Sequence, residues 1–176
     1  YRKDLFDIIG LFDEQFVRNQ DDELNLRLTL AGFRILLAPA LRIRYFVRGS
    51  LGQLSRQYFQ YGYWKWRVFA KHGQFASIRH MVPSTFVLCV IAAAVFALFS
   101  TPGKVALAAV AGPYLFVIAV ESLRVRLAAK AGFAGTAAAL MTLHFSYGIG
   151  LLKAMLDAMW HRTRGRAAAP PTGMSR

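Results

Sequence analysis

The sequence is poor in cysteine, with a single one, Cys89, inside an apolar run. One cysteine excludes a disulfide within the chain and a metal site built from several thiolates. The four histidines are scattered, and no two stand at metal-ligand spacing with a carboxylate. Ser50 and Ser55 lack the glycine context of a nucleophile elbow. Cysteine-based metal chemistry and serine-elbow hydrolysis are therefore not predicted.

Acidic residues are also scarce, and none occurs between Glu23 and Glu121. The 22 lysines and arginines outnumber the 9 acids, which gives a net charge of +13. An excess of this size indicates a nucleic acid, an anionic membrane surface or a phosphate-bearing substrate as partner.

Charge is missing from two long apolar runs in a chain that is 56% hydrophobic. A bilayer crossing needs about 20 apolar residues. We predict a transmembrane hairpin with spans at about 82–101 and 105–122, within a membrane region at 81–153. A third span is predicted at 134–152, where glycines indicate close helix packing. A re-entrant or interfacial segment is the alternative, because a full span would place the last arginines outside, against the positive-inside rule.

Residues 1–48 have the pattern of a small α/β unit. A short helix at 4–9 is followed by an acidic helix from about 21 to 30, which Gly32 ends. Residues 33–37 and 41–48 are predicted as strands, the second because apolar and basic residues alternate along it.

Three consecutive acids, Asp21, Asp22 and Glu23, open the acidic helix. The helix dipole favours each acid there by about 0.3–1 kcal/mol, so a structural helix start is one interpretation. The other is a carboxylate positioned to accept a proton. Glu23 and Arg27 stand at i and i+4, where they are expected to pair.

Residues 49–80 are rich in aromatic and basic side chains at helical spacing. Such an amphipathic helix is typical of a membrane interface, with rings at the headgroups and cations on anionic lipid. Single-stranded nucleic acid also suits this composition. The neighbouring apolar runs favour lipid, and no nucleic-acid partner is expected. Residues 154–176 are predicted to be a basic, disordered tail.

Three stretches resemble membrane-anchored family 2 glycosyltransferases of the succinoglycan or exopolysaccharide-biosynthesis type. They are YRKDLFDIIGLFDE, NQDDELNLRLTLAGFRI and SRQYFQYGYWKWR. The resemblance implies that residues 1–48 are the acceptor-side part of a GT-A-like α/β nucleotide-sugar transferase fold. An amphipathic interfacial helix and two to three transmembrane helices would follow. It also implies a longer enzyme whose N-terminal half precedes residue 1, so that this fragment alone would be inactive.

The resemblance implies a catalytic role at the acidic helix. Asp21 would be the general base that deprotonates an acceptor hydroxyl in an inverting single displacement, with Asp22 as the reserve candidate. Gln20 stands where the family has a glutamate. Gln20, Glu23 and Arg27 would support the site structurally.

The resemblance also implies a substrate-binding or diphosphate-binding role for Gln53, Arg56 and Gln57. A guanidinium suits phosphate oxygens because it offers paired donors. The alternative for Arg56 is an interfacial arginine that extends toward lipid headgroups. Gln57 replaces the tryptophan of the processive synthases' Gln-x-x-Arg-Trp motif, which leaves open whether transfer is processive or single.

The family uses a divalent cation, Mg²⁺ or Mn²⁺, held by an Asp-x-Asp motif. No Asp-x-Asp occurs in this chain, so no metal ligand is predicted within it. The expected partners are a nucleotide-sugar donor bound mainly by the N-terminal half, a lipid-linked glycan acceptor and membrane lipids. We expect a multi-pass protein of a bacterial inner membrane, with its catalytic part on the cytoplasmic side. A non-catalytic membrane-anchoring or scaffold module with a structural acidic helix start is the alternative.

Overall fold

The computed structural model describes residues 1–38, 40–44, 47–74 and 77–163. Within these residues the chain forms six α-helices, with a short 3-10 helix, Ile78–Met81, directly before the fourth. The α-helices are α1 (Asp4–Ile9), α2 (Gln20–Leu30), α3 (Leu51–His72), α4 (Val82–Ala97), α5 (Thr101–Ala129) and α6 (Phe133–Thr163).

The predicted α/β fold class is wrong, because the described residues contain no strand and no sheet. Residues 33–37 and the described part of 41–48 are irregular and mostly exposed, while Tyr45 and Phe46 lie outside the described residues. A strand forms only where a second strand pairs with its backbone N–H and C=O groups. Alternating side chains do not supply that second strand.

Local capping sets the ends of α3. The Ser50 hydroxyl oxygen accepts a hydrogen bond from the Gln53 backbone N–H at 3.3 Å, which satisfies one free donor of the first turn. Gly73 ends the helix with a φ of 67°, a left-handed conformation that glycine adopts without strain. The resulting helix puts Gln53, Arg56 and Gln57 on one face, since residues three and four apart are neighbours.

Helices α3 and α6 run side by side with their backbones in contact. A Cβ atom added to Gly62 would lie 2.1 Å from the Tyr147 carbonyl oxygen, and one added to Gly150 would lie 2.0 Å from the Phe59 carbonyl oxygen. Only a residue without a side chain fits at either position. The predicted close packing is confirmed at Gly150 and at Gly148, where an added Cβ atom would lie 2.6 Å from the Pro83 carbonyl oxygen, whereas one added to Gly135 would meet nothing within 4 Å.

The hydrophobic core lies where α2, α3 and α6 meet. Its centre is Trp64, which is fully buried. Leu24 and Leu28 of α2 are also buried, whereas Ala31, just after the helix, is exposed. The core cluster consists of Phe16, Leu26, Tyr63, Trp64, Val68 and Ala154.

Three helices among the described residues are long and apolar enough to cross a membrane, which supports a membrane protein. Helix α5 continues without interruption through Pro113. Membrane helices tolerate an internal proline because neighbouring groups satisfy the freed backbone atoms. Helix α6 is continuous, without the break of a re-entrant segment, and extends into the predicted tail as far as Thr163. Residues 164–176, the rest of that tail, lie outside the described residues.

Candidate functional site

The three acids of α2 meet three different environments. Asp21, in the first turn, is exposed, and its carboxylate has no hydrogen bond or ion pair with any described residue. Asp22 is half-buried and accepts hydrogen bonds through both carboxylate oxygens from Lys65 Nζ, the longer at 2.7 Å. Glu23 is fully buried. Of the three carboxylates, the one at Asp21 has lone pairs open to a ligand.

Glu23 is the centre of a charged cluster that joins α2 to the end of α3. Arg27 Nε donates to Glu23 Oε2 at 3.0 Å, so the expected i,i+4 contact is present. Lys71 Nζ lies 2.6 Å and His72 Nε2 lies 2.9 Å from Glu23 Oε1. Burial by itself would raise the pKa of Glu23, but the hydrogen bonds from Lys71, Arg27 and His72 outweigh it and lower the pKa.

The charged cluster also holds the chain that precedes α2. Arg27 donates to the carbonyl oxygens of Ile9 and Leu11, the latter at 2.7 Å. Lys71 Nζ donates to Asp13 Oδ2 at 2.8 Å, and this hydrogen bond lowers the pKa of Asp13. The backbone from the end of α1 to α2 is therefore fixed against α3 by charged contacts.

A polar cavity of about 270 Å³ opens beside the first half of α3. The structure brings together in it all three residues predicted to bind substrate or diphosphate, and it adds four others. The lining residues are Arg18, Arg48, Gln53, Arg56, Gln57, Gln60 and Tyr61. We call this the arginine cavity.

Hydrogen bonds order the wall of the arginine cavity. Arg48 Nε donates to Gln57 Oε1 at 3.1 Å, and Gln57 Nε2 donates to the Tyr61 hydroxyl oxygen at 2.7 Å. The Nε atom of Arg18 is buried and has no hydrogen-bond partner among the described residues. No carboxylate is among the described side chains that line the cavity. Three guanidinium groups around one polar space form an arrangement suited to an anion.

The arginine cavity adjoins the start of α2. Arg18 and Asn19 directly precede the helix, and Asn19 Nδ2 donates to the Tyr61 carbonyl oxygen at 3.4 Å. Asn19 has a left-handed backbone, with a φ of 60°, which asparagine tolerates better than most residues. One short segment therefore connects an arginine of the cavity to the Asp21 carboxylate, which no described residue contacts by a hydrogen bond or ion pair.

Sequence reasoning missed Arg18 and Arg48. Arg18 lies in a loop, and Arg48 stands at the end of a segment that was predicted as a strand. Neither belongs to the Gln-Leu-Ser-Arg-Gln stretch that carries the predicted binding residues. The available signal was the long interval without acids, which leaves Arg48 and Arg56 without a nearby carboxylate in sequence.

No described group of three or more His, Cys, Asp or Glu side chains could hold a metal ion. Asp22 and Glu23, the acids next to Asp21, are engaged by Lys65 and by the charged cluster. The described residues of this chain thus do not fit a divalent cation. Mg²⁺ or Mn²⁺ stays a prediction drawn from the resemblance.

Comparison with known proteins identifies one relative. The chain is 38% identical over 82 residues to the succinoglycan biosynthesis protein ExoA of Rhizobium meliloti (strain 1021). The match covers 47% of this chain and 25% of that protein, so it spans about a quarter of the relative's length. No protein-family model matches the chain, and no solved structure matches it. The predicted resemblance to succinoglycan-biosynthesis proteins is confirmed.

Proposed function

We propose that the protein to which this chain belongs is a membrane-bound glycosyltransferase of family 2. It transfers a sugar from a nucleotide-sugar donor to a hydroxyl of a lipid-linked or polysaccharide acceptor. The product serves exopolysaccharide or cell-envelope glycan synthesis. Similarity to a succinoglycan biosynthesis protein and three apolar helices support this proposal.

Asp21 is the general base of the proposed transfer. A sugar hydroxyl is a weak nucleophile, and a positioned carboxylate that accepts its proton as the new bond forms accelerates attack by about 10²–10⁴-fold. The observation that carries this assignment is the exposed carboxylate of Asp21, which has no partner among the described residues and follows Arg18 of the arginine cavity by three positions in the chain. Asp22 is the weaker candidate, because Lys65 occupies both of its oxygens.

The other predicted residues take supporting roles in the same proposal. Gln53, Arg56 and Gln57 bind a phosphate-bearing substrate from the wall of the arginine cavity. Gln20 begins α2 directly before the base, while Glu23 and Arg27 hold the helix on α3 through the charged cluster. A lipid-linked acceptor at a bacterial inner membrane, approached from the cytoplasmic side, fits a site next to apolar helices.

The test is Asp21→Asn in the full-length protein, with Asp7→Asn as control. Asp7 is an exposed acid on α1, outside the arginine cavity and the charged cluster. We expect Asp21→Asn to lower sugar transfer to the membrane lipid fraction at least 100-fold, because an amide cannot accept the proton. Asp7→Asn should leave transfer unchanged. The measurement is incorporation of labelled sugar from a panel of nucleotide sugars, with membrane insertion checked by fractionation.

Wild-type transfer by Asp21→Asn would rule out this residue as the base. Loss of transfer in Asp22→Asn alone would move the role to the reserve residue. If the wild-type protein transfers none of the sugars while a partner protein depends on its presence, the alternative of a non-catalytic membrane-anchoring or scaffold module is favoured.

A further inference from the structure

Most cations around α2 are paired with acids, but the arginines of the cavity are not. Lys65 contacts Asp22, Arg27 contacts Glu23, and Lys71 contacts Asp13 and Glu23. By contrast, Arg18, Arg48 and Arg56 form no ion pair with a carboxylate in the described part of the chain. Like charges gathered around one space repel, and a bound anion would remove that repulsion.

We propose that Arg18, Arg48 and Arg56 form one binding site for a phosphate or diphosphate group. The assignment is new for Arg18 and Arg48, which no sequence motif marked. Among the described residues the buried Nε of Arg18 is a donor without a partner, which is unfavourable because the group has lost its hydrogen bond to water without gaining another. An oxygen of the bound group would satisfy it.

A hydrogen bond holds the guanidinium of Arg48 at the wall of the arginine cavity. Its Nε donates to Gln57 Oε1, which leaves the two terminal nitrogens as donors for a ligand. Gln57 is held in turn by Tyr61 through a 2.7 Å hydrogen bond. A fixed guanidinium loses less side-chain entropy when it binds an anion than a mobile one does.

The size of the cavity limits what it can take. Pockets that enclose a whole small ligand measure about 300–1,000 Å³, and the arginine cavity, at about 270 Å³, lies below that range. It therefore holds the charged group of a larger molecule. The identity of that larger molecule rests on the proposed function. Under it, the phosphate or diphosphate group belongs either to the soluble nucleotide-sugar donor or to a membrane lipid.

The binding test uses the full-length protein in phosphatidylcholine nanodiscs, with inorganic pyrophosphate and inorganic phosphate as probes. The variants are Arg18→Gln and Arg48→Gln, and Arg42→Gln is the matched control. Arg42 is exposed and does not line the cavity. We expect the pyrophosphate dissociation constant to rise at least about tenfold in the first two variants and less than twofold in the control, as for a lost charge-assisted hydrogen bond.

A second arm measures how much phosphatidic acid each variant retains from mixed micelles with phosphatidylcholine. A loss of pyrophosphate binding alone assigns the site to a soluble diphosphate, and a loss of lipid retention alone assigns it to a lipid phosphate. If Arg18→Gln and Arg48→Gln bind both probes like the control, the site does not exist. That result would leave the assignment of the base untouched, since the Asp21→Asn assay tests the base separately.

Discussion

Adjacent acids on α2 differ because a helix turns about 100° per residue. Asp21 points to solvent, Asp22 reaches Lys65, and Glu23 enters the space between α2 and α3. Local sequence placed the three acids at a helix start but did not distinguish their surroundings. The distinction comes from α3, whose cations contact the second and third acid and leave the first open.

The charged cluster makes Glu23 a sensitive position. We expect Glu23→Gln to lower the free energy of unfolding by about 3 kcal/mol at neutral pH, because removing one member of a buried charge group leaves the others uncompensated. Glu14→Gln is the control, since Glu14 is exposed. The measurement is chemical unfolding in detergent, followed by tryptophan fluorescence. Equal stability of the two variants would contradict the prediction.

The same residue predicts a pH dependence. The folded-state pKa of Glu23 is below its ordinary value of 4.5, so its stabilising contribution is present above that value and is lost as the pH falls through the folded-state pKa. We therefore expect the stability difference between wild type and Glu23→Gln to shrink steadily on acidification below about pH 5. A difference that stays constant down to pH 3 would show that the carboxylate charge contributes nothing.

At the scale of elements, the contact between α3 and α6 depends on two glycines. Gly62 and Gly150 allow each backbone to touch the other helix, and a methyl group at either position would overlap a carbonyl oxygen. Close approach of this kind is how helices associate where lipid removes the hydrophobic driving force. It brings the aromatic face of α3 onto α6 and so forms the core around Trp64.

Alanine at these glycines should separate the helices. We expect Gly62→Ala and Gly150→Ala each to destabilise the protein by about 1–3 kcal/mol, the usual cost of overpacking. Gly135→Ala is the control, because its added methyl group meets nothing within 4 Å and alanine favours a helix. Thermal unfolding in detergent measures the three variants. A Gly150→Ala protein as stable as Gly135→Ala would show that the contact is looser than described.

At the scale of the whole molecule, the end of α6 lies beside the chain that precedes α2. Asp13 and Gln15 line one cavity of about 430 Å³ together with Lys71, Asp157 and His161. We take side chains that line one small cavity to lie on the same side of a membrane. We therefore expect His161 to be on the side of residues 13–15, which fits the interfacial alternative for the third apolar run better than a full crossing.

Cysteine labelling tests this topology in a Cys89→Ala background. Glu14→Cys and His161→Cys should react with a membrane-impermeant maleimide in vesicles of the same orientation. Phe99→Cys, at the exposed connection between α4 and α5, should react in vesicles of the opposite orientation. Labelling of positions 14 and 161 from opposite sides would instead establish α6 as a complete span.

Sequence by itself determined the helices and the apolar character of the chain. Periodicity, caps and uncharged runs act over a few residues, so α1, α2 and α3 and the three apolar helices were predicted close to where they lie. The resemblance to succinoglycan-biosynthesis proteins was also readable from contiguous motifs.

Only the tertiary structure decided which distant residues meet. The strands predicted at 33–37 and in the described part of 41–48 are wrong, because a strand needs a partner that local alternation cannot provide. The arginine cavity joins Arg18, Arg48 and Arg56 from two loops and a helix. The charged cluster likewise joins residues about fifty positions apart, such as Glu23 and His72. Side chains far apart in sequence meet only through the packing of α2 and α6 on α3. Glycines indicated close packing of α6, but no local pattern identified α3 as its partner.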